Sequence, residues 1–256
     1  MEYNKNPIGV FDSGVGGVSV LSELISVMPN EDFLYFGDSY NAPYGTKSND
    51  EILKLSKACT KKLLDMGAKA IVIACNTATS VAVKHLREKY SSIPIIGIEP
   101  AIKPAAEYKK NSKILVMATP MTLKKEKFRN LMKNFSDNDE IIPLPCPGLV
   151  ELIEQGKTDS VETTDFLKNL LSPYFDKNID SVVLGCTHYP FVKEAVKKTF
   201  PYEVKIFDGG HGTACETKRR IKGMENSPSH KGEVTFLNSK DGDFEIELCK
   251  ELLKKI

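Results

Sequence analysis

The sequence predicts an α/β protein of two pseudo-symmetric three-layer halves, each built on a mostly parallel sheet. Short apolar runs alternate with longer amphipathic stretches, as in repeated βαβ units. Glycine and proline clusters punctuate the strand-to-helix joins, where such proteins keep their chemistry. A weak internal repeat pairs 71–79 (IVIACNTAT) with 182–190 (VVLGCTHYP), and nearly the same offset separates the strands ending at Phe11 and Met117. The repeat suggests two similar halves, the second starting near residue 98; the expected domains are 1–97 plus 208–256 and 98–207, with the active site in the cleft between them.

Strands are expected at 7–11, 32–36, 70–74, 94–98, 113–117, 140–144, 180–184, 203–207 and 233–237, each a run such as AIVIA or SVVL bounded by polar or turn residues. Helices are expected between them. Residues 17–28 place Val18, Leu21, Leu24 and Ile25 on one face. Residues 48–66 do so with Ile52, Leu55, Cys59, Leu63 and Met66, and Gly67 follows as a C-cap. Further helices are read at 78–90, 122–134, 160–175, 190–199 and 243–255.

Of the 256 residues, 41% are hydrophobic and 27% charged, which is ordinary globular composition. Lys and Arg number 35 against 34 acids, a net charge of +1, so neither a nucleic-acid backbone nor an anionic membrane is an expected partner. No stretch approaches the roughly 20 apolar residues that span a bilayer, and the opening MEYNKNPIGVF lacks a secretory pattern, so a cytoplasmic protein is expected. Six cysteines occur without a C-x-x-C pair, and His85, His188, His211 and His230 are scattered. No metal site and no disulfide framework are expected.

Two cysteines stand out. Cys75 and Cys186 each end a predicted buried strand and precede a predicted helix, where the helix dipole favours thiolate. Singly, each reads as a core cysteine; together, in matched context, they read as functional. A phosphatase loop would need Arg where Val81 and Val192 stand, and a single-nucleophile enzyme leaves one thiol unexplained. Two thiols across a cleft suit the movement of a proton from one face of a planar carbanion to the other.

Other motifs are compatible with that chemistry. The loop FDSGVGG (11–17) lacks the third glycine of a dinucleotide fingerprint, since position 19 is serine, and Asp12 would repel a pyrophosphate. Asp12 and Ser13 suit an ammonium group or a relay beside Cys75. The 39–48 loop, SYNAPYGTKS, is either a surface turn or a cradle of backbone amides for a carboxylate. His188 is an acid, a thiolate partner or a satisfied loop histidine, with Glu151 and Glu154 as carboxylates that could orient it.

DSGVGG, FGDSYNAPYGTKS, ACNTAT, GIEPA and GCTHYP, in this order from Ile8 to about Gly210, resemble the aspartate/glutamate racemase family and its glutamate-specific members. The resemblance implies substrate buried between two α/β domains, with no cofactor and no metal. It implies that Cys75 takes the Cα proton of D-glutamate and Cys186 that of L-glutamate. Asp12 assists Cys75, and His188 with Glu154 assists Cys186. Glu154 closes the family's Val-x-x-x-Glu pattern from Val150. Asp12, Ser13, Asn76, Thr77, Thr187 and His188 are implied as substrate contacts at the α-carbon end. Pro43, Tyr44 and Gly45 are implied for the side-chain carboxylate, with Thr119 and Thr122 lining the pocket. A homodimer and a role in supplying D-glutamate for bacterial peptidoglycan are also implied. Two departures are noted: Gly209-Gly210 replaces a hydroxyl and a small residue, expected to alter a hinge, and the short segment before Ile8 speaks against a leader for activation by a cell-wall precursor.

The competing readings are a racemase of aspartate or another small acid, a ligand-binding or regulatory protein on the same scaffold, and a Rossmann-type oxidoreductase.

Overall fold

Runs rich in Ile, Val, Leu and Phe form the strands, buried except at sheet edges, and the chain orders them in the same way twice. It begins with β1 (Ile8–Asp12), α1 (Val18–Val27), β2 (Phe33–Gly37), α2 (Asn49–Asp65), β3 (Ala70–Ile73), α3 (Asn76–Lys89) and β4 (Ile95–Gly97). It continues through α4 (Ile102–Tyr108), β5 (Lys113–Ala118), α5 (Pro120–Lys124), α6 (Glu126–Lys133), β6 (Glu140–Pro145), α7 (Leu149–Glu154), α8 (Val161–Leu171), β7 (Ser181–Leu184), α9 (Lys193–Thr199) and β8 (Lys205–Asp208). It closes with α10 (Gly210–Arg220), β9 (Val234–Asn238) and α11 (Phe244–Lys255). The structure, a computed structural model, describes residues 3–124, 126–133 and 139–256.

Two compact units result, Met1–Glu99 with Gly210–Ile256, and Pro100–Gly209. The first carries a five-stranded sheet in the order β4-β3-β1-β2-β9, the second a four-stranded sheet in the order β6-β5-β7-β8. Every pairing is parallel. Read from the other edge, the second sheet is β8-β7-β5-β6, the order of β4-β3-β1-β2. The repeat seen in the sequence is therefore a repeat of topology.

In the first unit α1 packs on α10 and α11, while α2 packs on α3. Between α2, α3 and the sheet lies a core of Phe11, Ile52, Leu63, Ile71, Ile73 and Leu86. Each side chain of this size contributes roughly 1.5–3 kcal/mol on burial. Ser48 caps α2 reciprocally: its Oγ accepts from Glu51 N (3.3 Å) and Glu51 Oε2 accepts from Ser48 N (3.0 Å). In the second unit Ile102 and Ala105 of α4 and Phe128 of α6 pack on Ile114, Val116 and Val183.

All nine expected strands are present, with ends shifted by one or two residues. The helices differ more. α3 begins at Asn76, two residues before the expected start. The stretch 122–134 is two helices, α5 and α6, and its positions 125 and 134 lie outside the described residues. The expected helix 160–175 ends as α-helix at Leu171 and runs on as a 3-10 turn through Pro173. The expected helix 190–199 opens with a 3-10 turn, Tyr189–Val192, which contains Pro190; α9 starts only at Lys193. Met66, placed on the apolar face of α2, lies beyond the helix end and is exposed. α4, α7 and α10 were not expected. The buried face of α10 is Thr213, Ala214 and Thr217, which carries little apolar signal.

One buried ion pair ties the first unit together. Lys69 Nζ lies 2.6 Å from Glu31 Oε2, with side chains 1% and 5% exposed. Lys69 also donates to Asn4 O (2.8 Å), and Glu31 Oε1 accepts from Asn226 N (2.8 Å). Removing one partner of such a pair leaves a buried charge uncompensated. Lys69→Met is expected to cost about 3–5 kcal/mol, read as a lower urea midpoint. A midpoint equal to that of the unsubstituted protein would show that the pair is dispensable.

Candidate active site

In an open parallel sheet, a crevice forms where neighbouring strands send their connections to opposite faces. That point lies between β1 and β3 in the first unit and between β5 and β7 in the second. Asp12 and Ser13 sit at the carboxyl end of β1 and Cys75 just past β3. Thr119 follows β5, and Cys186 follows β7. The topology thus delivers one thiol to each switch point.

In the first unit, Asp12, Ser13 and Cys75 are all buried. Asp12 Oδ1 accepts from Gly14 N (3.1 Å) and, at long range, from Ser13 Oγ (3.5 Å). Cys75 Sγ donates in turn toward Ser13 Oγ (3.8 Å), so the three form a chain from thiol to hydroxyl to carboxylate. Cys75 is also the N-cap of α3: Sγ accepts from Ala78 N (3.4 Å), at the positive end of the helix, where negative charge is favoured. Gly17 makes room for this corner, since a Cβ there would stand 2.6 Å from Asp12 Cβ and 3.1 Å from Ala74 Cβ. Tyr35 fixes the loop by donating to Gly14 O (2.6 Å). Because Gly14 N is given to Asp12, this turn presents a carboxylate rather than an amide, which disfavours phosphate binding.

Asn76 and Thr77 occupy the first turn of α3, both buried. Among the described residues Asn76 Oδ1 has no hydrogen-bond partner, an acceptor that a ligand's donor would satisfy. The 39–46 loop packs against α3 through its second turn, Tyr44–Thr46. The Tyr44 side chain points into the core, donating to Asp38 Oδ2 (2.6 Å), while Asn41 Nδ2 donates to both Asp38 oxygens (3.0 and 3.2 Å). Tyr44 is therefore an anchor, its side chain committed to Asp38 and the core. Burial, then the charge of Asp38, pushes Cys59 beside it up to about 12, which leaves that thiol inert.

In the second unit, Cys186, Thr187 and His188 are buried after β7. Cys186 Sγ lies 3.7 Å from His188 Nδ1, and His188 Nε2 lies 2.6 Å from Glu154 Oε1 at the end of α7. Glu151, one turn earlier, is exposed. Burial opposes charge on His188, but the hydrogen bonds to Cys186 and Glu154 and their negative charges outweigh it. Its pKa is held well above that of an ordinary histidine. The dipole expected behind Cys186 is not there, because a 3-10 turn follows it; the buried imidazole occupies that role instead. Thr119 Oγ1 accepts from Thr122 N (3.2 Å) and lies 2.9 Å from Thr122 Oγ1, at the start of α5. Cys146 is buried near Cys186, and burial, then the charge of Cys186, pushes it up to about 12.

Asp38 and the end of β9 were not expected to matter to the loop. Asn238 Nδ2 donates to Ser39 Oγ (2.9 Å) and Ser239 Oγ accepts from Tyr40 N (2.9 Å). The signal was available only through the pairing of β9 with β2, which sequence pattern does not give. Among the described residues, no group of three His, Cys, Asp or Glu side chains could hold a metal ion.

The raised pKa of His188 has a signed consequence. Its contribution to stability is complete below about pH 6.5, its unfolded value, and is lost as pH rises through the higher folded value. A nuclear magnetic resonance titration is expected to find the His188 imidazole still protonated well above pH 6.5 and its midpoint lowered by Glu154→Gln. An unchanged midpoint in that variant would remove Glu154 as a cause.

Residues 8–215 match the family model described as Asp/Glu/Hydantoin racemase. A glutamate racemase of Clostridium novyi (strain NT) is 54% identical over 256 residues, covering 99% of each chain. The crystal structure of glutamate racemase from Francisella tularensis subsp. tularensis in complex with D-glutamate superposes with a TM-score of 0.83 at 33% identity, covering 98% of this chain and 94% of that one. That of Escherichia coli glutamate racemase with L-glutamate and the activator UDP-MurNAc-ala gives 0.85 at 30% identity, covering 96% and 95%. With the switch-point thiols on the same framework, the chain belongs to the Asp/Glu/hydantoin racemase family.

Proposed function

We propose that the protein interconverts L- and D-glutamate by transferring a proton at Cα between two thiols, without a cofactor. The observation that carries the reading is that each switch-point thiol has its own path to a carboxylate: Cys75 through Ser13 to Asp12, and Cys186 through His188 to Glu154. Relatives named glutamate racemase, 54% identical in one case, supply the substrate.

In this reading Cys75, as thiolate, removes the Cα proton of D-glutamate, and Cys186, as thiol, protonates the opposite face of the carbanion. The reverse reaction exchanges the roles. One turnover leaves the two sulfurs with their protonation states exchanged, so a net flux needs a proton out of one side and into the other. Asp12, through Ser13, is suited to receive the first, and the cationic His188, held by Glu154, to deliver the second. Asn76, whose Oδ1 is an unfilled acceptor, suits the ammonium group. Ser13, Thr77 and Thr187 complete the α-carboxylate and ammonium contacts, and Thr119 and Thr122 line the pocket. The Pro43-Tyr44-Gly45 backbone takes the distal carboxylate, its position fixed by Tyr44 on Asp38. Both carboxylates held by hydrogen bonds in a water-excluded site lower the barrier to the carbanion.

The reading places the enzyme in the cytoplasm, a reducing compartment that suits six free cysteines. It assigns the product D-glutamate to bacterial peptidoglycan, and it includes a homodimer.

Purified protein in heavy water is expected to racemise glutamate faster than aspartate with nothing added. Early in the reaction, deuterium should enter the product enantiomer ahead of the remaining substrate, as two separate bases require. Cys75→Ser and Cys186→Ser are each expected to lose on the order of a hundredfold or more in rate. Full activity in either variant, or equal label in substrate and product, would overturn the two-thiol reading.

A further inference from the structure

Five of the six cysteines are buried; Cys215, on α10, is exposed. It is not alone there. His211 lies one helical turn earlier on the same face, with its Nε2 3.5 Å from Cys215 Sγ. The other ring nitrogen, Nδ1, lies 3.1 Å from Glu23 Oε2, which α1 brings from the far end of the sequence. The three side chains are outside both switch points and take no part in the glutamate chemistry.

The order of contacts fixes the tautomer. A carboxylate can only accept, so Glu23 takes the Nδ1 hydrogen and leaves the Nε2 lone pair facing the thiol. This is the arrangement of a nucleophile, its base and the group that orients the base. It repeats, on the surface and with the ring reversed, the order of Cys186, His188 and Glu154. A metal reading fails because Glu23 and Cys215 hold opposite edges of the ring and cannot converge on one ion. Among the buried thiols, burial pushes Cys59 and Cys146 up to about 12, and Cys75, Cys186 and Cys249 are shielded by burial from a disulfide as large as glutathione's.

We propose that Cys215, with His211 as base and Glu23 as its orienting group, is a reversible modification site that exchanges with low-molecular-weight disulfides. In the exchange, the Cys215 thiol proton passes to His211 Nε2 as Sγ attacks one sulfur of R–S–S–R. The Sγ–S bond forms, the old S–S bond breaks, and the departing thiolate takes the proton from Nε2 and leaves as R–SH. Cys215 is oxidised and the departing sulfur reduced, with no other reactant needed. The side chains of His211 and Glu23 are 70% and 40% exposed, so the site has no walls, and any small unhindered disulfide can reach it.

The test uses the whole protein with glutathione disulfide at pH 7, following released glutathione and mapping the adduct by mass spectrometry. One adduct, on Cys215, is expected, reversed by a dithiol and absent in Cys215→Ser. His211→Gln and Glu23→Gln should both slow the reaction, the former on the order of tenfold, less than the roughly hundredfold or more of a base in an enclosed site, because this one is open to water. Both replaced side chains face solvent, and circular dichroism verifies that the variants fold. An adduct elsewhere, or wild-type rates in both variants, would overturn the proposal; the latter would mean that exposure alone governs the reaction.

Discussion

A parallel sheet leaves its strand ends on one side, and the connections decide which ends are open. In both units the first strand sends its helix one way and the third sends its helix the other, so the ends of β1 and β3, and of β5 and β7, are left uncovered. The placement of both switch-point thiols follows from that reversal. Asp12 and Cys75 are close because β1 and β3 pair in register, Phe11 opposite Ile73. Thr119 and Cys186 are close because β5 and β7 pair with Met117 opposite Leu184. Residues far apart in sequence become neighbours through backbone pairing alone, before any side chain contributes.

The two thiols are alike in position and unlike in support. Cys75 leans on a helix terminus and a hydroxyl, an arrangement of dipoles with its carboxylate one step removed. Cys186 has no α-helix behind it and faces a buried imidazole held by Glu154 at 2.6 Å. One side thus stabilises charge by geometry, the other by a formal cation. A symmetric reaction does not require symmetric apparatus, only comparable free energies on the two sides.

The strands were legible because runs such as AIVIA and SVVL are rich in β-branched residues and buried throughout, which no helix of ordinary amphipathicity would be. The thiols were legible because their context repeats. α10 was not, since its buried face is threonine and alanine and it opens with two glycines among its first three residues. The environment of Cys186 differs from the expected helix terminus because the residues after it, Tyr189–Val192, form a 3-10 turn that an apolar pattern with a leading proline does not distinguish from an α-helix. Glu154 could be separated from Glu151 only by family pattern until the distance to His188 was known. The anchoring of Tyr44 on Asp38, and of the loop by Asn238 and Ser239, depends on tertiary pairing and leaves no local mark.

The first unit is assembled from both ends of the chain. Its edge strand β9 pairs with β2, and α10 and α11 cover α1, although all three follow the whole of the second unit. During synthesis the second unit can therefore finish while the first still shows the bare edge of β2 and the uncovered Leu21 and Leu24 of α1. Residues 234–238 complete the sheet that holds Cys75, so a chain that has not yet added them presents the edge of β2 to unwanted strand pairing.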